Sequence, residues 1–131
     1  MQIQLEAPTP QAALKLYLKI LSTIYPPTLT ESEIEILTAF ASLPASLEHF
    51  RFTSKGRSMV MKALNKSYTK QNLNNHIYSL ILKRYLYRTK DEDRTIYIAP
   101  AILKAYQQFS SSVPQSITIT INALRTTLPT K

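Results

Sequence analysis

The chain has 131 residues, with 16 Lys and Arg against 8 Asp and Glu, a formal net charge of +8 and no cysteine. That length suits one domain with a modest core, while the lack of Cys excludes a disulfide scaffold, a thiolate metal site and a cysteine nucleophile and leads us to expect a cytoplasmic setting. The single glycine, Gly56, excludes every Gly-rich phosphate loop, and with no apolar run near the roughly 20 residues of a membrane span and no signal-peptide pattern in Met1–Glu6, a soluble chain without a membrane partner is expected.

Met1–Glu6 alternates apolar and polar residues as a short strand does, and Pro8 and Pro10 interrupt it. From about Pro10 to Tyr25, Ala13, Leu14, Tyr17, Leu18, Ile20, Leu21 and Ile24 recur at helical spacing, and Pro26-Pro27 stops the run. Thr30 and Glu33 have the spacing of a capping box, worth about 1 kcal/mol, at the start of a second helix. Its apolar stripe is Ile34, Ile36, Leu37, Phe40 and Ala41, and Leu43-Pro44 ends it. Glu31, Glu33 and Glu35 suit the positive end of that helix better than they suit paired catalytic carboxylates. Residues 45–53 read as a loop. A third helix is expected from Ser54 through Met59, Val60, Ala63 and Leu64, followed by a turn at Asn65-Lys66-Ser67-Tyr68.

Thr69 is a good N-cap for a fourth helix, about Lys70 to Arg84, with Leu73, Ile77, Leu80, Ile81 and the stem of Arg84 on one face. Steps of about 100° per residue put Gln71, Asn72, Asn75, His76, Ser79 and Lys83 on the other face. Leu82 is discordant on the polar side and is expected to pack under the segment that follows. Leu86–Thr89 and Thr95–Ile98 read as two strands of a hairpin bridged by Lys90-Asp91-Glu92-Asp93-Arg94. Pro100 opens a fifth helix to about Phe109, with Ile102, Leu103, Tyr106 and Phe109 apolar. Ser110–Pro114 is a linker, and Ser116–Ile121 alternates Thr with Ile as a strand does.

The expected fold is therefore mainly α with a small β wing: a winged helix-turn-helix of about five helices plus a two-stranded hairpin. Segment 1–9 reads as an N-terminal extension, 10–109 as the winged-helix domain, and 110–131 as a linker with a strand-like tail. The two fringes can pair with each other or with another subunit, as in a homodimer, or form disordered tails.

Charge is distributed unevenly along this order. Segment 49–90 holds ten Lys and Arg and no acid, leaving six basic and eight acidic residues elsewhere. One cationic third that also contains the helix-turn-helix points to a polyanion, and double-stranded DNA is the expected partner. Asn and Gln make bidentate bonds to adenine edges, Ser serves either role and Lys reaches guanine or phosphate, so the outward face of helix 70–84 carries base-reading chemistry. Its capped end at Thr69 and Lys70 offers amides to a phosphate. Three asparagines in five residues also make an unusual solvated face, because Asn is a poor helix former. Lys55, Arg57, Lys66 and Arg88 are the candidate backbone contacts.

Leu29-Thr30-Glu31-Ser32-Glu33-Ile34-Glu35-Ile36-Leu37 and Leu82-Lys83-Arg84-Tyr85-Leu86-Tyr87-Arg88, with Asp91–Arg94 leading into Thr95–Ile98, resemble the entry helix, recognition-helix exit and wing of MarR-type winged-helix transcription regulators. The resemblance implies a sequence-directed binder of duplex DNA. It places helix 70–84 in the major groove and Arg94, with Arg88 or Lys90, near the minor groove, the acids orienting Arg94. Tyr85 stands where that family commonly has Gly, and helix 100–109 is short beside the family's dimerising helices.

Enzymatic activity is not expected. His49 and His76 are the only histidines, and neither has a partner at metal or triad spacing; no cofactor is implied. Tyr68, Tyr78, Tyr85, Tyr87 and Tyr97 lie in or beside the basic region, so single-stranded nucleic acid is an alternative partner. Cross-strand pairing accounts for Tyr87 and Tyr97, and packing for Tyr17, Tyr25 and Tyr106. A further alternative is an interaction subunit of a replication, transcription or virion assembly.

Overall fold

Prolines and capping side chains set the element boundaries. The computed structural model describes residues 2–7, 9–44, 51–64, 68–89, 95–111 and 116–120. Helix α1 (Pro10–Ile24) begins with Pro at its first position, and Thr9 Oγ1 accepts from the Ala12 amide at 3.1 Å. It ends one residue before the expected Tyr25, which caps it by donating its amide to the Leu21 carbonyl. In α2 (Glu31–Ala41) the capping box forms: Thr30 Oγ1 accepts from the Glu33 amide at 3.1 Å and the Thr30 amide donates to Glu33 Oε1 at 2.8 Å. The expected stripe of Ile34, Ile36, Leu37, Phe40 and Ala41 is buried.

Phe52 stacks on Phe40 with ring centroids 4.3 Å apart, and the buried Arg51 donates from Nε to the Phe40 carbonyl at 3.1 Å. These contacts fasten the start of α3 (Ser54–Leu64) to the end of α2. Gly56 and Val60 are its buried residues, and α3 packs on α2. Helix α4 (Lys70–Leu82) starts at the predicted cap, where Thr69 Oγ1 accepts from the Asn72 amide at 3.0 Å. It buries Leu73, Ile77 and Leu80 against α2 and the following strand.

The chain leaves α4 earlier than the expected Arg84. Arg84 has φ 69°, and the Arg84 and Tyr85 amides donate to the Ile81 and Leu80 carbonyls, each at 3.0 Å. This is a Schellman ending with an arginine at the left-handed position that glycine normally takes, so the Arg84 stem does not continue the apolar face. Replacing Arg84 by Gly removes the clash of Cβ with the following carbonyl. It should raise the unfolding free energy by about 1 kcal/mol, read as a higher urea midpoint.

Strand β2 (Leu86–Arg88) pairs antiparallel with β3 (Ile96–Ile98), with Leu86 opposite Ile98 and Tyr87 opposite Tyr97. Leu86 and Ile98 face the core, while Tyr87 and Tyr97 stack outward at 5.7 Å. Lys90 and the tip at Asp91–Arg94 lie outside the described residues. Helix α5 (Pro100–Ser111) runs two residues past the expected end and packs on α1, burying Ile102, Ala105 and Phe109, the last edge-on to Tyr17 at 6.0 Å. Finally β1 (Gln2–Glu6) pairs antiparallel with β4 (Ser116–Thr120), from Gln2 opposite Thr120 to Glu6 opposite Ser116. The two fringes thus pair with each other. The result is mainly helical with a small β wing, as the sequence predicts.

Candidate nucleic-acid interface

Since Leu73, Ile77 and Leu80 define the buried side of α4, residues half a turn away face water. Gln71, Asn72 and Asn75 are exposed there, Lys70 is exposed at the first position of the helix, and Gln71 Nε2 donates to Asn75 Oδ1 at 3.2 Å. This i, i+4 bond holds two amide heads side by side on the N-terminal half of the helix. His76 is only half exposed, its ring edge-on to Tyr68 at 6.1 Å. Tyr68 in turn donates from its hydroxyl to Glu35 Oε1 at 3.4 Å, tying the approach to α4 back onto α2.

Ser79 and Lys83 do not share this exposed surface, although helical spacing puts them on its flank. Ser79 Oγ donates to Glu33 Oε2, and Lys83 Nζ donates to Glu33 Oε1 at 2.7 Å and to the Thr28 carbonyl at 2.9 Å. A buried carboxylate must be paired, and Glu33 is 2% exposed. The two side chains therefore turn toward α2. Burial by itself would raise the Glu33 carboxyl, but hydrogen bonds from Lys83, Ser79 and the Thr30 amide, with the Lys83 charge, hold it below its ordinary value.

Their places on the outward stripe go to Tyr78 and Leu82, 57% and 65% exposed. Leu82 does not pack under the wing as expected. The helical wheel is the signal that finds both: together with Gln71 and Asn75 they form an i, i+4, i+7, i+11 row opposite the core.

One cation is fastened to the flank of α4. Arg57 of α3 donates from Nε to the Phe52 carbonyl at 2.7 Å and from Nη1 to Asn74 Oδ1, which sets its guanidinium beside α4. Burial, and after it the charge of Arg88 on the wing, lower the Arg57 pKa. Asn74, which the sequence reading passed over, is thus the link between α3 and α4. Lys55 is exposed at the start of α3. None of Lys55, Arg57, Lys70 and Arg88 makes an ion pair with a described residue. Lys66, Lys90, Arg94 and His49 lie outside the described residues. Among the described residues there is no cluster of His, Asp and Glu able to hold a metal, and no helix long and apolar enough to cross a membrane.

Elements α2, α3 and α4 with the β2–β3 hairpin define the class of the domain: helical with a small β wing, in the element order of a winged helix. Comparison of the chain with protein-family models, curated proteins and solved structures finds no match.

Proposed function

We propose that the protein binds duplex DNA in a sequence-directed way, with the N-terminal half of α4 in the major groove. The observation that carries this reading is the exposed row of Gln71, Asn72 and Asn75 at a capped helix start, with Lys70 at that start and Arg57 bonded to Asn74, neither cation paired with an acid among the described residues. Amide side chains discriminate adenine edges, and the cations and capped helix end hold phosphates. The resemblance to MarR-type regulators makes transcription regulation in the cytoplasm the matching role. Ser79 and Lys83 orient the helix in this scheme and do not touch bases.

Selection from a random duplex pool should return a preferred sequence. Binding to it should weaken with log[salt] at a slope of about −3.6 for four phosphate contacts, at about −0.9 each. A slope near zero would reject the proposal.

A second reading, protein assembly, is favoured by one observation, the exposed Tyr78 and Leu82 on the same helix. Large apolar side chains on a surface helix mark interaction sites. Loss of a self-association or partner signal in Leu82→Asp, with salt-independent binding, would favour it over DNA.

A further inference from the structure

An open cleft of about 510 Å³ lies between the C-terminal half of α1, the α4–β2 junction and the start of α5. Its volume falls within the range of small-ligand sites, about 300–1,000 Å³. Tyr17, Tyr25, Tyr85 and Tyr87 line it, with Leu21 and Ile102 as apolar floor. Burial, then neighbouring phenols and, for Tyr85, the Glu33 charge as well, raise the pKa of Tyr17 and Tyr85, so these hydroxyls are neutral hydrogen-bonding groups.

Among the described residues no Asp or Glu lines the cleft, and the cations that line it are Lys83 and Arg84. Lys83 is committed to Glu33 and the Thr28 carbonyl. The Arg84 residue is exposed and its side chain has no hydrogen bond or ion pair among the described residues. It also occupies the left-handed backbone position where glycine would be more stable. A strained residue retained at the mouth of a cleft signals a use for its side chain.

We propose that this cleft holds one unpaired nucleotide, its base among the tyrosine rings and its phosphate on Arg84. Stacking on aromatic rings is how bases are held without pairing, and every base has a face that suits it. The cleft lies at the C-terminal end of α4, the helix whose N-terminal half carries the surface assigned to DNA, and Tyr87 belongs to the wing. The inference rests on the duplex reading for one point only, that the nucleotide arrives on a strand running off that surface. A free mononucleotide has the same chemistry.

The test compares the full chain on a blunt duplex and on the same duplex with a three-nucleotide single-stranded flank, by fluorescence anisotropy. Wild type should bind the flanked duplex about fivefold or more tightly than the blunt one. In Arg84→Gly and Tyr87→Leu that ratio should fall to about one, the former with its unfolding midpoint raised, which separates the loss from misfolding. AMP added as competitor should erase the wild-type ratio if free nucleotides enter, and leave it if only strands do. A wild-type ratio near one with intact blunt-duplex binding overturns the cleft assignment and leaves the duplex reading standing. If no duplex binds, the flank oligonucleotide alone decides: binding that depends on Arg84 and Tyr87 upholds the cleft, and absence of binding overturns both.

Discussion

Glu33→Ala is expected to lower the unfolding free energy by about 3 kcal/mol, toward the lower end of what removing one partner of a buried pair costs. The reasons are additive in kind. The substitution removes half of the capping box, leaves Ser79 without its acceptor, and strands Lys83, whose side chain keeps 21% exposure and so recovers part of its hydration. For a domain of this size that corresponds to a thermal midpoint lower by about 10 °C. Acid should act through the same carboxylate. Because the folded pKa of Glu33 lies below its ordinary value of 4.5, its contribution is complete above that pH and is lost as pH falls through the folded pKa. Urea midpoints followed by circular dichroism at pH 7 and pH 3 should therefore drop more in wild type than in Glu33→Gln. Equal drops would mean that the charge of Glu33 is not what holds the cluster.

The second large effect separates reading from gripping. Asn75→Ala and Gln71→Ala should each cost about 1–3 kcal/mol, roughly 5- to 150-fold, on the selected sequence and little on random duplex. Arg88→Ala should weaken both duplexes alike and reduce the salt slope by about one. Ser79→Ala should change stability and leave the preferred sequence intact, since its hydroxyl is spent on Glu33. Competition binding with selected and random duplexes checks all four. Equal losses for Asn75→Ala and Arg88→Ala on both duplexes would reduce the interface to nonspecific attraction.

These variants also mark where sequence reasoning reaches and where it stops. The helix starts at Thr30 and Thr69 were legible because a cap is a local event: the acceptor and the amide it satisfies are three residues apart. The wing was legible because two alternating runs flank a polar bridge. What stayed hidden was the second role of Glu33, whose partners Ser79 and Lys83 lie 46 and 50 residues away. No local pattern encodes that meeting. Side chains at the flank of a helix face are ambiguous by nature, and a long Lys reaches in whichever direction a carboxylate draws it. For Leu82 two rules conflicted, apolarity favouring burial and the wheel favouring water, and geometry prevailed. The early end of α4 was equally hidden, because an arginine in the left-handed conformation carries none of the signal a glycine would.

An oily stripe alone lets a helix roll about its axis, since methyl groups exchange neighbours at little cost. The bonds from Ser79 and Lys83 to one carboxylate are directional and remove that freedom before any ligand arrives. The rotational setting of α4 is thus fixed in the free molecule, and docking forfeits little conformational entropy. Association of such a preorganised surface with an oppositely charged target should then be limited by diffusion and steering rather than by rearrangement.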